Sequence, residues 1–181
     1  MEKEVLFYEW DYFPWLATEE RIDQLFDYLK TNLPLAVWQR KGTALSIGCG
    51  KGREVWQLER DGFQVIACDT NPGAIQEGLR LGYLLGEKTK IAITDYKDCL
   101  RESNFDFILV LHISPGLRLG ELIRHCLALN QEGAMIVNGG REKIKEFETF
   151  FQQTDLSAGI RNWDLISDLN LIDRRILVIE K

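Results

Sequence analysis

Short apolar runs alternate with amphipathic stretches along most of the chain. Stretches with helical spacing of apolar residues cover Arg53–Arg60, Ala74–Leu85, Leu117–Leu129 and Arg141–Gln152. The runs between them are dense in Ile, Val, Leu and Phe, as in strands that are covered on both faces. These runs are Ala44–Ile47, Gln64–Cys68, Ile91–Thr94, Phe105–His112 and Ala134–Asn138. Strand–helix alternation predicts right-handed crossovers and a parallel sheet between two helical layers.

The end of the chain departs from this alternation. Two β-prone segments, Leu165–Leu171 and Arg175–Glu180, are separated by Ile172-Asp173-Arg174 alone. Three residues permit a hairpin but no helical crossover. The sequence therefore predicts an α/β three-layer sandwich, with a mostly parallel seven-stranded sheet that ends in an antiparallel C-terminal strand pair.

The first 41 residues form a candidate N-terminal segment, which precedes a domain predicted over residues 42–181. A helix is predicted over Thr18–Leu29, with Thr18 as its N-cap. Before it stands an aromatic cluster: Phe7, Tyr8, Trp10, Tyr12, Phe13 and Trp15. These rings either pack over the sheet as a hydrophobic contact or form a lid on a ligand site, since aromatic faces stack on bases and attract cations.

Composition and charge indicate what class of protein the chain belongs to and which partners are disfavoured. The chain has 181 residues, a formal net charge of −6 and 45% hydrophobic residues, which suits one soluble globular domain. The acidic balance disfavours generic nucleic-acid binding. The longest strictly apolar run, Phe107–Leu111, is too short to span a membrane. The four cysteines show no CxxC pair and the two histidines complete no ligand cluster, so we expect no metal site and a reduced, cytoplasmic protein.

The most informative motif is a glycine-rich turn between the first strand and the next helix. Gly48, Gly50 and Gly52 alternate with Cys49 and Lys51. Glycines permit a tight turn and let a ligand lie against bare backbone. A dinucleotide fingerprint would need Gly or Ala where Arg53 stands, and a phosphate-binding loop would need Lys and Ser/Thr after its last glycine. A nicotinamide-dependent enzyme is thus disfavoured.

The turn resembles the nucleoside-binding loop of the class I S-adenosylmethionine-dependent methyltransferases. The resemblance extends from about Gly42 to the C-terminus: Val65-Ile66-Ala67-Cys68-Asp69 ends a second strand in an acid, Asn71-Pro72-Gly73-Ala74-Ile75 opens a helix, and Ile91-Ala92-Ile93-Thr94-Asp95 ends a third strand in an acid. It implies that S-adenosylmethionine is the cofactor, that Asp69 holds the ribose hydroxyls and that Asp95 contacts the adenine amino group. The cofactor-binding residues it implies are Ser46, Gly48, Cys49, Gly50, Gly52, Asp69, Thr70, Asp95 and Tyr96. From the residues alone, each acid is equally consistent with a turn or helix N-cap.

One position departs from the family pattern. Members usually carry Asp or Glu two residues before the first glycine, where this chain has Ser46. Serine can accept a hydrogen bond but carries no charge. A catalytically silent domain of the same fold, binding the nucleoside or a protein partner, is therefore the alternative interpretation.

The acceptor side is expected after the fourth strand. His112-Ile113-Ser114-Pro115 stands there, in place of the Asn/Asp-Pro-Pro-Tyr of relatives that methylate adenine or glutamine amino groups. His112 is a candidate base or acceptor contact, because an unperturbed histidine titrates near neutral pH, and it is equally a candidate structural residue. The residues expected to line the acceptor pocket or form its lid are Tyr8, Trp10, Tyr12, His112 and Ser114. We expect methyl transfer to a small-molecule acceptor, with no nucleic-acid or membrane partner, and with the oligomeric state open.

Overall fold

The structure, a computed structural model, divides the chain into two compact units, residues 1–34 and 35–181. It describes residues 26–27, 29–31, 36–84, 89–93, 98, 104–110, 118, 128–140, 145–147, 149, 162–166 and 174–180. In the first unit, residues 26–27 and 29–31 are helical, so helix continues past the predicted end at Leu29. A short helix at 37–40 belongs to the second unit.

The second unit contains seven strands and three helices whose bounds the structure describes. In chain order they are α1 (Val37–Arg40), β1 (Thr43–Ile47), α2 (Arg53–Arg60), β2 (Gln64–Asp69), α3 (Pro72–Leu81), β3 (Thr89–Ile93), β4 (Phe105–Val110), β5 (Leu129–Gly140), β6 (Asn162–Ile166) and β7 (Arg174–Glu180).

The seven strands form one sheet in the order β3-β2-β1-β4-β5-β7-β6. Strands β1 to β5 pair in parallel, and β7 lies antiparallel between β5 and β6. This confirms the predicted α/β class and the mostly parallel sheet with antiparallel C-terminal strands. Because the strand order reverses at β1, the carboxyl ends of β1 and β4 flank the crevice where open α/β sheets bind ligands.

The C-terminal hairpin prediction was wrong in its boundaries. β6 covers Asn162–Ile166, so it begins three residues before the predicted start at Leu165. Asn162 pairs with Glu180 and Ile166 with Ile176, and this cross-strand pairing includes the polar residues before the apolar run in the strand. The rest of the predicted segment, residues 167–171, lies outside the described residues.

Helix boundaries in the α3 region also differ from the prediction of Ala74–Leu85. Asn71 caps α3 with its side-chain oxygen, which accepts from the N–H groups of Gly73 (3.0 Å) and Ala74 (3.2 Å). At the other end Gly82 adopts φ +79° and Tyr83 N–H donates to the Gly78 carbonyl (3.0 Å), so the helix stops although apolar residues continue.

Further predicted boundaries were wrong, and the helix predicted over Arg141–Gln152 was confirmed where it is described. Leu129 begins β5 instead of ending a helix, because it pairs with Phe105 of β4. Residue 118 is not helical, and β3 begins at Thr89, two residues before the predicted start. Residues 145–147 and 149 are helical, within the helix predicted over Arg141–Gln152.

The strands are tied together at the end opposite the crevice. The Asp106 carboxylate accepts from Thr43 N–H (2.8 Å) and from the Asn130 side-chain amide (3.0 Å). A side chain at Gly42 would collide with that carboxylate. Asp106 thus links the start of β4 to the starts of β1 and β5. The crevice lies at the other end of the strands, where their carboxyl ends meet. Within the described residues, no helix combines the length and the apolar character that crossing a membrane requires.

Candidate functional site

The glycine loop lies directly after β1 at the carboxyl end of the sheet. Gly48, Gly50 and Gly52 have φ values of +67°, +51° and +80°, which side chains on L-residues rarely allow. Gly48 N–H (2.9 Å) and Cys49 N–H (3.1 Å) both donate to the Cys68 carbonyl of β2. The loop is therefore held against the second strand by its backbone, and its glycines leave the backbone uncovered by side chains.

Residues of α3 and of the turn that follows it pack tightly against the loop. A side chain at Gly52 would occupy the position of the Leu84 side chain. A side chain at Gly78 of α3 would collide with the Lys51 carbonyl oxygen, a backbone atom of the loop. The backbones of α3 and the loop therefore approach each other closely at this point.

Asp69, at the end of β2, connects the loop to the next turn. Its Oδ2 accepts from Gly50 N–H and its Oδ1 from Asn71 N–H, both at 2.7 Å. The side chain is half-buried. Since a carboxylate offers about four lone-pair positions, Asp69 retains acceptor capacity on each oxygen. Both alternatives from the sequence are thus compatible: Asp69 is a turn residue, and it can still bind a pair of hydroxyls.

A buried carboxyl group that the sequence analysis missed stands behind the loop. The Ser46 hydroxyl donates to Oε1 of Glu54 at 3.0 Å, with Ser46 1% and Glu54 3% exposed. Glu54 is the second residue of α2 and looked like a solvated residue on an amphipathic helix. Its position in the sequence could have indicated the contact. Glu54 lies two residues after the last glycine of the loop, and Ser46 lies two residues before the first.

The environment of Glu54 raises its pKa from 4.5 to about 7. Burial is the largest cause, because removing a carboxylate from water disfavours the charged form. Hydrogen bonds from the backbone at Glu54 and from Ser46 lower the pKa, and the nearby Asp69 charge raises it further. Glu54 thus changes its charge near neutral pH.

The structure brings most of the described candidate residues to one place. Gly48, Gly50 and Gly52 line the loop, and Asp69 with the exposed Thr70 stands beside it. Cys49 is 2% exposed, so its thiol faces the core and only its backbone belongs to the loop surface. The remaining candidates lie outside the described residues: Asp95, Tyr96, His112, Ser114, Tyr8, Trp10 and Tyr12.

Arg53, which breaks the dinucleotide fingerprint, has an identifiable packing role. Its guanidinium lies 4.3 Å from the Trp56 ring centroid and 5.3 Å from that of Tyr83. The bulky side chain occupies the position where a dinucleotide-binding loop needs a small residue. In the part of the chain that the structure describes, no group of three His, Cys, Asp or Glu residues is arranged to hold a metal ion.

Comparisons with known proteins agree with this geometry. No family model matches the sequence. No curated protein matches it either. Among solved structures, a SAM dependent methyltransferase from Archaeoglobus fulgidus aligns with a TM-score of 0.63 at 12% identity, covering 98% of this chain and 99% of that one. The chain has the fold of the class I S-adenosylmethionine-dependent methyltransferases.

Two further structures show the same fold. The N-methyltransferase NodS from Bradyrhizobium japonicum WM9 aligns with a TM-score of 0.62 at 15% identity, over 86% of this chain and 94% of that one. Human Methyltransferase-like protein 13, in complex with S-adenosylhomocysteine, gives a TM-score of 0.62 at 16% identity, over 80% of this chain and 74% of that one. The methyltransferase fold accounts for the position of the glycine loop at the switch point.

Proposed function

We propose that this chain binds S-adenosylmethionine at the glycine loop and transfers its methyl group to a small-molecule acceptor. The observation that carries the proposal is the loop itself. Three glycines in the left-handed region stand at the switch point of the sheet, and the Asp69 carboxylate is hydrogen-bonded to the central one. The shared fold with methyltransferase structures supports the choice of cofactor.

The described residues fit a nucleoside cofactor. The Gly48–Gly52 backbone carries no side chain that would block a ligand, apart from the buried Cys49 and the half-buried Lys51. Asp69 is held rigidly by two N–H groups and keeps free acceptor positions for the two ribose hydroxyls. When bound, S-adenosylmethionine supplies a methyl group on a positively charged sulfur. The chain's task is then to orient that group in line with the acceptor atom.

The acceptor is proposed to be small because of the charge of the chain and the lack of a long insertion within its sequence. A net charge of −6 disfavours a phosphate backbone as substrate. The sequence also carries no long insertion after β4 or β5 that would build a domain for a macromolecule. His112, outside the described residues, is proposed as a base if the acceptor must lose a proton.

Calorimetric titration with S-adenosylhomocysteine, S-adenosylmethionine and NAD tests the cofactor. Binding of the first two without NAD supports the proposal, and binding of NAD alone contradicts it. Incubation with methyl-labelled S-adenosylmethionine and separated small-molecule, RNA and protein fractions tests the acceptor. Label in the small-molecule fraction supports the proposal; label only in RNA or protein contradicts the acceptor class. Cofactor binding without label in any fraction identifies the silent domain instead.

A further inference from the structure

The buried pair of Ser46 and Glu54 closes the two ends of the glycine loop. Ser46 lies in β1, paired with Ala67 on one side and Leu109 on the other, so it occupies the centre of the sheet. Glu54 lies in the first turn of α2. Their hydrogen bond therefore joins the strand that enters the loop to the helix that leaves it.

We propose that Glu54, acting through Ser46, is a positioning residue that supplies the glycine loop with negative charge and thereby favours the α-ammonium group of the cofactor. The inference rests on the proposed function. It assigns to α2 a carboxylate that β1 lacks, since β1 itself (Thr43–Ile47) contains no titratable side chain.

The direction of the hydrogen bond supports this role. A carboxylate can only accept, so ionised Glu54 fixes the Ser46 hydroxyl as a donor toward α2. The Ser46 oxygen can then only accept further hydrogen bonds. Ser46 and Glu54 together act as an acceptor with one negative charge. Protonated Glu54 can donate to Ser46 instead, which removes the charge and releases the hydroxyl.

The surroundings of Glu54 leave it sensitive to a nearby cation. On β2 the titratable groups are Cys68, which is 1% exposed, and Asp69, whose charge opposes ionisation of Glu54. On α2 itself the charged residues are Arg53, Glu59 and Arg60. The methionine end of the cofactor carries an α-ammonium group beside its α-carboxylate, and S-adenosylmethionine adds a sulfonium. A cation brought to the loop stabilises the ionised form of Glu54, so binding near neutral pH releases a proton.

Proton release is the measurement that separates this role from a purely structural one. S-adenosylhomocysteine is titrated into the full-length protein at about pH 6.5 in buffers with different enthalpies of ionisation. We expect the apparent binding enthalpy to depend on the buffer in the direction of proton release, and the affinity to rise by about fivefold between pH 6 and pH 8, as for a group whose pKa falls from about 7 by about one unit on binding.

Three variants complete the test. Glu54→Gln keeps a hydrogen-bond acceptor for Ser46 without the charge, and we expect weaker binding at pH 8 with no buffer dependence. Glu77→Gln, which removes an acid on α3 paired with Arg80, is the matched control and should behave like the parent. Ser46→Asp combined with Glu54→Gln returns a carboxylate to β1 and should recover affinity.

The outcomes distinguish the two proposals. If the parent binds S-adenosylhomocysteine with no proton release and no change in affinity over this pH range, the role of Glu54 is wrong while the proposed function stands. If the parent binds neither S-adenosylhomocysteine nor S-adenosylmethionine, the proposed function itself is wrong. The measurement on the parent decides the first question even if a variant does not fold.

Discussion

At the scale of single residues, the chain places acidic groups where the backbone needs acceptors. Asp69 was open to two interpretations in the sequence, a turn residue or a ligand contact. The structure shows the first through two backbone hydrogen bonds, and the second stays a prediction. Glu54 was missed, because the helical pattern places it among charged residues and only the fold shows that it is 3% exposed.

Replacing Asp69 tests its contact with the cofactor. Asp69→Ala removes charge-assisted hydrogen bonds worth about 1.5–3 kcal/mol, so binding of S-adenosylhomocysteine should weaken by one to two orders of magnitude in calorimetry. Because the same carboxylate holds Gly50, the variant should also melt at a lower temperature. Glu77→Gln serves as the control and should change neither. Parent-like affinity of Asp69→Ala would show that the cofactor does not use this carboxylate.

Glu54 predicts a specific dependence of stability on pH. Its pKa is about 7 in the folded chain and 4.5 in the unfolded chain, so between these values the folded state holds a proton that the unfolded state has lost. The free energy of unfolding should therefore fall by about 3 kcal/mol as pH rises from 4.5 to 7 through this group. Denaturant unfolding at several pH values measures it, and Glu54→Gln should lack this decrease. An identical slope in parent and variant would contradict the buried position.

At the scale of elements, capping residues set the ends of α3, which the spacing of its apolar residues does not define. The start of α3 was predictable, since Asn71 and Pro72 are an N-cap and a first-turn residue. Its end was not, because Leu84 continues the apolar pattern although Gly82 has already turned the chain. Leu84 is buried beside Gly52 instead, so its hydrophobicity serves the packing of the loop.

The contact between α3 and the glycine loop predicts an unusual effect of alanine. A helix-interior Gly→Ala change ordinarily stabilises by about 1 kcal/mol. Gly78→Ala should instead destabilise by about 1–3 kcal/mol, as overpacked sites do, because the new methyl group meets the Lys51 carbonyl. Since that carbonyl belongs to the loop, binding of S-adenosylhomocysteine should weaken as well.

Gly73→Ala provides the control within the same helix. Gly73 is exposed, and the nearest atom to an added methyl group is the Asn71 side-chain oxygen at 3.3 Å. Its free energy of unfolding in denaturant should stay within about 1 kcal/mol of the parent, with unchanged binding. If Gly78→Ala were as stable as Gly73→Ala, the close approach of α3 to the loop would be wrong.

At the scale of the whole molecule, the alternation of strands and helices was enough to predict the sheet. The buried strands are apolar on both faces, and each crossover has one allowed hand, so few topologies remain. The start of β6 was not predictable, because Asn162 and Asp164 belong to residue types that are depleted in strands and only their pairing with β7 places them in the sheet. The candidate site shows the same difference. The ligand-binding loop was predicted from its glycines, whereas the contact between Ser46 and Glu54 was found only in the structure.

The interior position of β7 predicts that the last strand is essential for folding. β7 lies between β5 and β6 and pairs with β5 along its whole length and with β6 from Ile176 to Glu180. A chain that ends at Asp173 therefore exposes one edge of β5 and one edge of β6. It also loses Ile179, which is fully buried. One such side chain contributes about 1.5–3 kcal/mol against a total stability of about 5–15 kcal/mol, and the unmade backbone hydrogen bonds add to the loss. We expect the shortened chain to show no cooperative thermal transition by circular dichroism and to aggregate, whereas deletion of Lys181 alone should leave the melting temperature unchanged. Cooperative melting of the shortened chain near the parent temperature would mean that β5 can serve as an edge strand and that β7 does not lie within the sheet.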